Sequence, residues 1–318
     1  MAEIGFTLSC EEHRPNALVR YARLAEEAGF TFALISDHFH PWTDRQGNAP
    51  FVWSVIGGVA QATERLVLGT GVTCPTMRIH PAIIAQAAAT AADMMPGRFF
   101  LGVGSGEKLN EHIVGERWPS AIVRQDMLAE AIDVIRTLWQ GGFQSYSGAY
   151  FTVEDARIYT LPEQLPPIMV AAAGPRSARL AGEVGDGLVS TAPNPQTVRQ
   201  FDEAGGAGKP RYGQLTICWA EDEATARKTA LEWWPTAAVP GELGQELPLP
   251  RHFEQAAKLV TEDAIAQAIV CGPDPQRHID AIRQFTEAGF DHVFVHQVGP
   301  DQEGAIRFYQ REILPAFA

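Results

Sequence analysis

One unit recurs along these 318 residues: a helical stretch, a glycine, then a short apolar strand. Residues 17–28 carry helical periodicity, stop at Gly29 and lead into a strand over 30–36. Glycine is a usual helix stop because it enters the left-handed region without steric cost. Near the other end, residues 279–288 stop at Gly289 before a strand over 291–296, and Glu-Ala-Gly-Phe occurs at both places. Residues 177–185 leading into 186–190 make a third copy. Further apolar runs at 4–8, 66–72, 98–103, 167–172 and 214–219, with residues 187–190, bring the strands to eight. Such near-continuous runs suit parallel strands covered on both faces. Eight strands alternating with helices predict an α/β fold of the (β/α)8 TIM barrel type.

Helices are expected over 81–95, 122–139, 222–234, 252–268 and 301–312. Two stretches break the repeat. Residues 140–166, with Gly141 and Gly142, predict an inserted loop or small hairpin; residues 235–251, with Pro235, Pro240, Pro248 and Pro250, predict an irregular loop before a helix. No linker divides the chain, so residues 1–318 are expected to form a single barrel domain.

A formal net charge of −13 argues against nucleic acid or an anionic membrane as partner, since both need clustered Lys and Arg. Cys10, Cys74, Cys218 and Cys271 are far apart and form no C-x-x-C pair, which suits free thiols in a reducing compartment. Residues 4–8 look like a first strand and not a signal peptide, and no apolar stretch approaches the ~18 residues of a membrane span. A cytoplasmic enzyme acting on a small molecule is the expectation.

In such a barrel the residues just past the strands' C-terminal ends face the active site. Here they are Ser9, Cys10 and Glu11; then Asp37, His38, His40 and Trp42; then Gly71, Val72 and Cys74. Strand four supplies residues 102–107 with Asn110; strand five Ala173, Gly174, Arg176 and Ser177; the last strands Ser190, Thr191 and His296. A histidine at a strand end is often only a hydrogen-bonded structural group, and a tryptophan often only packs against a loop. His38 stands apart because it follows Asp37 and precedes Trp42 on the active face. Glu107 closes a glycine-rich turn, where a carboxylate can act as acid or base. That turn is not a dinucleotide fingerprint, because G-x-G-x-x-G fails at Glu107. The glycines after strands three to five suit a flat cofactor approaching the backbone, its phosphates held by amides and helix N-termini.

The stretches "SDHFHPW" and "FLGVGSGEKLNE", with "LGTGV", "PAIIAQAAAT", "GDGLVST" and "AGFDHVFVH", make the chain resemble the luciferase-like monooxygenase superfamily. Within it, the likeness is to the deazaflavin branch of the F420-dependent glucose-6-phosphate dehydrogenases. The resemblance implies coenzyme F420 across the barrel mouth, Asp37 against its ring, His38 as the base removing a hydroxyl proton, and Trp42 shaping the pocket. Glu107 would protonate or stabilise the reduced cofactor. Gly71, Val72, Cys74, Ser105, Gly106, Asn110, Ala173, Gly174, Arg176 and Ser177 fall where the family holds the coenzyme, with Gly71–Val72 matching a cis peptide. Glu11 and Thr191 match substrate-side positions, and a homodimer is implied.

One departure bears on the substrate. The sugar-phosphate enzymes hold phosphate with basic side chains, whereas the matching positions here are Asn194, Gln255 and a place near Ile279. A non-phosphorylated alcohol or sugar is therefore expected, unless Arg277 or His278 compensates. The rival readings are an FMN-dependent monooxygenase of the same superfamily, a non-catalytic flavin-binding member and a metal-dependent barrel hydrolase. The hydrolase would use the H-x-H of His38 and His40, but later strands end mostly on Gly, Ala, Ser and Thr.

Overall fold

A computed structural model describes residues 2–239 and 241–318. Its centre is eight strands: β1 (Glu3–Leu8), β2 (Phe32–Ile35), β3 (Val67–Thr70), β4 (Phe99–Val103), β5 (Ile168–Ala171), β6 (Gly187–Ser190), β7 (Arg211–Cys218) and β8 (His292–Gln297). All pair in parallel; β8 lies between β7 and β1, the rest follow in chain order, and β6 pairs back onto β7. The sheet is closed, with helices outside it: the (β/α)8 barrel expected from the repeat.

The repeated Glu-Ala-Gly-Phe does the same physical work twice. The helix Pro15–Ala28 ends at Gly29 with φ 103°, and Phe30 N–H reaches back to the Ala25 carbonyl. At the far end Gly289 has φ 100° and Phe290 N–H donates to the Phe285 carbonyl. Both are left-handed caps closed by an apolar residue, which turn the chain straight into the next strand. The third copy differs: Gly185 stays extended at φ −87°, and a Cβ there would lie 2.6 Å from the Ala181 carbonyl oxygen.

Two apolar layers follow from strand alternation. Outward-facing residues such as Phe6, Ile35, Val103 and Val295 pack under the helices. Inward-facing Phe32, Leu34, Phe100, Met169, Val189, Tyr212 and Phe294 fill the barrel. The interior rings fit because glycines lie beneath them: a Cβ on Gly69 would sit 2.0 Å from the Phe100 ring, and one on Gly5 2.4 Å from Phe32. This plug leaves the C-terminal mouth as the place for chemistry.

Residues 144–147 and 152–156 form the inserted hairpin. Residues 235–251 hold a short turn at Pro235–Ala238 and one helical turn at Leu243–Glu246, with a new helix opening at Pro250; Pro240 lies outside the described residues. The single helix expected over 252–268 is instead two, Pro250–Ala257 and Glu262–Ala268. Thr261 restarts it, its hydroxyl accepting from Ala264 N–H, and Leu259 at the break is exposed. A helix at Val52–Ala62 was not expected, since Gly57 and Gly58 lower helix propensity. Gly58 lets it approach Val19, whose methyl would be 2.9 Å from an added Cβ, and packing outweighs propensity.

Gly69→Ala should force the Phe100 ring off its site and cost about 1–3 kcal/mol, the usual range for overpacking. A thermal melt checks it, and an unchanged Tm would remove this account of the interior.

Candidate active site

The strand ends converge on a cavity of about 320 Å³. β2 delivers His38 to it, and His38 Nε2 lies 3.3 Å from Glu11 Oε1 and 3.4 Å from Glu107 Oε2. One imidazole edge thus faces two carboxylates, one from the end of β1 and one from the turn after β4. Glu11 is anchored by Ser36 Oγ at 2.6 Å and Ser9 Oγ at 3.1 Å. On its other edge, His38 Nδ1 is 3.1 Å from the His40 carbonyl and 3.1 Å from Asn110 Nδ2. With Nδ1–H donating to that carbonyl, Nε2 is the nitrogen that can take a proton in the cavity.

The charges act on one another. Burial alone would lower the His38 pKa, but the Glu11 and Glu107 carboxylates, the His40 carbonyl and Asp37 outweigh it and raise it. Burial likewise works to raise Glu11, yet His38, the Ser36 hydroxyl and other groups hold it below the usual carboxylate range. Glu107 goes up, driven by burial and then by Glu11 against the opposing pull of His38 and Asn110. Two carboxylates beside one imidazole are pushed apart in acidity, a common arrangement of acid–base sites.

Asp37 is buried and already partnered: Arg78 Nη2 donates to Oδ1 at 2.8 Å and Thr73 Oγ1 to Oδ2 at 2.8 Å. The Arg78 amide donates to Glu111 Oε2 at 2.8 Å, and its Nε lies 3.6 Å from Oε1. Arg78 belongs to no local motif, and Glu111, although it closes the stretch over 100–111, shows its partner only in the folded chain. Asn110 is equally engaged with protein. Its Oδ1 accepts from the Phe39 and His40 amides at 2.9 and 3.1 Å, and its Nδ2 is 3.1 Å from Glu107 Oε2. It therefore ties the β2 and β4 loops together.

Of the other expected residues, Trp42, Gly71, Val72, Cys74, Ser105, Gly106, Ala173, Ser177 and Thr191 line the cavity. The Gly71–Val72 peptide is cis. Cys74 is a buried neutral thiol, its pKa pushed far up by burial. Ser177 Oγ caps the helix Pro175–Val184, accepting from the Gly174 amide at 3.1 Å. Gly174, Arg176, Asn194 and Gln255 do not line the cavity. Arg176 pairs with Asp126 at 2.6 Å, Asn194 caps the helix Pro195–Phe201 through the Gln196 amide, and Gln255 is exposed. Neither Asn194 nor Gln255 is part of this cavity wall, so the wall itself lends the comparison built on them no support. Arg277 and His278 are engaged elsewhere, with Glu223 and with Tyr309 and the Gly272 carbonyl. His40 bonds the Leu109 carbonyl and only His38 of the H-x-H pair lines the cavity. Among the described residues no three His, Cys, Asp or Glu side chains come together to hold a metal ion.

The model of the family described as luciferase-like monooxygenase matches residues 2–292. The chain belongs to the luciferase-like monooxygenase family. Within that family, it is 37% identical to an F420-dependent glucose-6-phosphate dehydrogenase of Microbacterium testaceum, over 98% of this chain and 96% of that one. It is also 37% identical to an F420-dependent hydroxymycolic acid dehydrogenase of Mycobacterium tuberculosis, over 98% and 87%. Among solved structures, an F420-dependent secondary alcohol dehydrogenase in complex with an F420-acetone adduct superposes with a TM-score of 0.92. It is 33% identical and covers 100% of this chain and 99% of that one.

Arg78 and Asp37 are 7% and 1% exposed in their side chains. Arg78→Met would leave Asp37 buried beside Glu111 without a cation and should cost about 3–5 kcal/mol. Denaturant unfolding measures it; a loss below about 1 kcal/mol would show that the pair does not hold the site.

Proposed function

We propose that this chain is a coenzyme F420-dependent dehydrogenase that oxidises a non-phosphorylated alcohol or sugar. The observation that carries it is His38 Nε2 facing Glu11 and Glu107 beside a glycine-rich wall. The three differently named F420-dependent dehydrogenases that the chain resembles support the cofactor and the CH–OH donor class.

The residues present suit the cofactor. Val72, Ser105 and Gly106 offer a wall with little side chain, and Gly174 has open space in front of it at a helix N-terminus. That helix end suits a phosphate, which backbone amides can bind in so acidic a chain. The bound deazaflavin supplies a two-electron hydride acceptor. The chain's own work is then proton handling: His38 Nε2 takes the hydroxyl proton as the carbinol C–H bond breaks. Glu107, with its raised pKa, is the group beside His38 Nε2 that can carry a proton. Glu11 holds the imidazolium that results. Trp42, whose ring centroid is 5.1 Å from that of His38, confines the imidazole and excludes water.

The substrate class rests on charge. The cavity lining contains Glu11, Asp37, Glu107 and Glu111 and, among the described residues, no Lys or Arg. A phosphate dianion needs charge-assisted partners, worth about 1.5–3 kcal/mol each.

His38→Ala should reduce turnover about 10²–10⁴-fold with little loss of F420 affinity, because a general base acts in the transition state. Single-turnover F420 reduction with calorimetry tests both halves; a near-normal kcat would take His38 out of the mechanism. Tight FMN binding with no detectable F420 binding would replace the cofactor assignment by the monooxygenase reading. Glucose-6-phosphate should be a donor at least about 10²-fold poorer than an uncharged alcohol, by the loss of two charge-assisted bonds.

A pH profile follows from the same contacts. His38 holds its proton more tightly than an ordinary imidazole, so the free base forms only as pH rises through its folded pKa, above the usual 6.5. The kcat/KM for alcohol oxidation should therefore rise with pH along a limb lying above 6.5. Glu11→Gln removes the strongest contributor that raises it, so the limb should move to lower pH; a limb that stays put would uncouple Glu11 from the base.

A further inference from the structure

We infer that the barrel floor between β1, β7 and β8 is a receptor for a second hydroxyl on the substrate, so that the preferred donor is a vicinal diol or a larger polyol. The inference rests on the dehydrogenase reading above and names the substrate class of that site.

Three cavity-lining residues lie there: Thr7, Gln214 and His296. On β8, Phe294 and His296 alternate with outward-facing Val293 and Val295, so His296 belongs to the inward row. The β1–β8 register pairs Phe6 with Val295, and one step further sets Thr7 beside His296. Gln214 pairs with Phe294 in the β7–β8 register and so lies one inward step below His296 on the same side of the barrel. Thr7 is 8% and His296 2% exposed, yet Thr7 Oγ1 and His296 Nδ1 have no hydrogen-bond partner. Buried polar atoms are rarely left so, and each asks for an explanation.

The other ring nitrogen of His296 is engaged. Nε2 lies 3.4 Å from Glu12 Oε2, and the Glu12 carboxylate is fixed through Oε1 by the Gly299 amide at 2.8 Å. With Nε2–H donating to Glu12, Nδ1 presents a lone pair, which calls for a donor. A hydroxyl supplies one, and its oxygen can accept in turn from Thr7 Oγ1–H. Trp234 packs edge-on against His296 at 4.4 Å between centroids and also lines the cavity, so the imidazole is held in place. An apolar alcohol would leave both atoms dry and unpaired, whereas a hydroxyl next to the reacting carbinol satisfies them. A site built to bond a hydroxyl discriminates strongly against the analogue lacking it.

The test compares cyclohexanol with the vicinal cyclohexanediols as F420 reductants, reading kcat/KM for each. Wild type should favour one diol isomer about tenfold or more, the worth of one well-made hydrogen bond. Thr7→Val removes a hydroxyl with no protein partner while keeping the shape, and should lower the diol-to-cyclohexanol ratio about tenfold. His296→Phe should lower it similarly, with His296→Asn restoring part. A merely structural defect would slow all alcohols alike and leave the ratio unchanged. The inference is overturned if wild type turns over cyclohexanol without preferring a diol, or if Thr7→Val and His296→Phe both leave the ratio intact. It is overturned equally if these variants weaken F420 binding instead, since the floor would then serve the cofactor. If no alcohol reduces F420 at all, the dehydrogenase reading falls first and this inference with it.

Discussion

His38 sits between two carboxylates in a place that is mostly dry, and much of the surrounding structure follows from holding that trio. An imidazole 10% exposed cannot keep a charge unless something compensates, and two carboxylates at similar distance cannot both stay ionised without mutual cost. The chain divides the roles by environment. Glu11 receives the Ser36 and Ser9 hydroxyls and stays acidic, while Glu107 is left with the weaker support of one amide and moves up. One member stabilises charge and the other can carry a proton, and neither role is inherent in the residue type.

Holding three groups from different strand ends to within hydrogen-bond distance needs a frame that does not drift. The parallel barrel supplies the coarse frame, since its closed register fixes where each strand ends. Asn110 supplies the fine one: its Oδ1 accepts from the Phe39 and His40 amides of the β2 loop and its Nδ2 donates to Glu107 of the β4 loop, so His38 and Glu107 move together. The Arg78 cluster supports the same loops from the other side through Asp37, which is why Asp37 reads as a positioning residue in the free protein. An oriented base matters more than a strong one, because misplacement by an ångström costs orders of magnitude in rate.

What could be read from sequence divides by distance along the chain. The Glu-Ala-Gly-Phe caps are local, so the barrel periodicity and its eight strands were legible from residues a few places apart, whereas the two-residue strand Val270–Cys271 beside β7 was not. That His38, Glu107 and Trp42 would reach the cavity was legible because their motifs sit at strand ends. Arg78 was not: it lies 41 residues from Asp37 in a segment without periodicity, and only the pairing of β2 with β3 brings them together. His296 stood at a strand end, but its meaning depends on Glu12, 284 residues away. Asn194 and Gln255 show the opposite case. A resemblance aligned them with functional positions, while local forces set their side chains to capping a helix and facing solvent.

The electrostatics of the mouth bear on what can enter it. Among the described residues Arg78 is the one guanidinium or ammonium group in contact with Asp37 and Glu111, and it is not free to serve as a phosphate ligand. Turning it toward a substrate would leave Asp37 and Glu111 without the charge that stabilises them, at a cost of several kcal/mol for each buried ion left unpaired. A phosphate dianion would gain less than that from one guanidinium and would also meet Glu11 and Glu107. An uncharged hydroxyl compound escapes both penalties, since hydroxyls can donate to carboxylates and accept from Thr7 in the same pocket. On the proposed reading, selection against anionic donors is built into the network that positions His38, and the two properties cannot be altered independently.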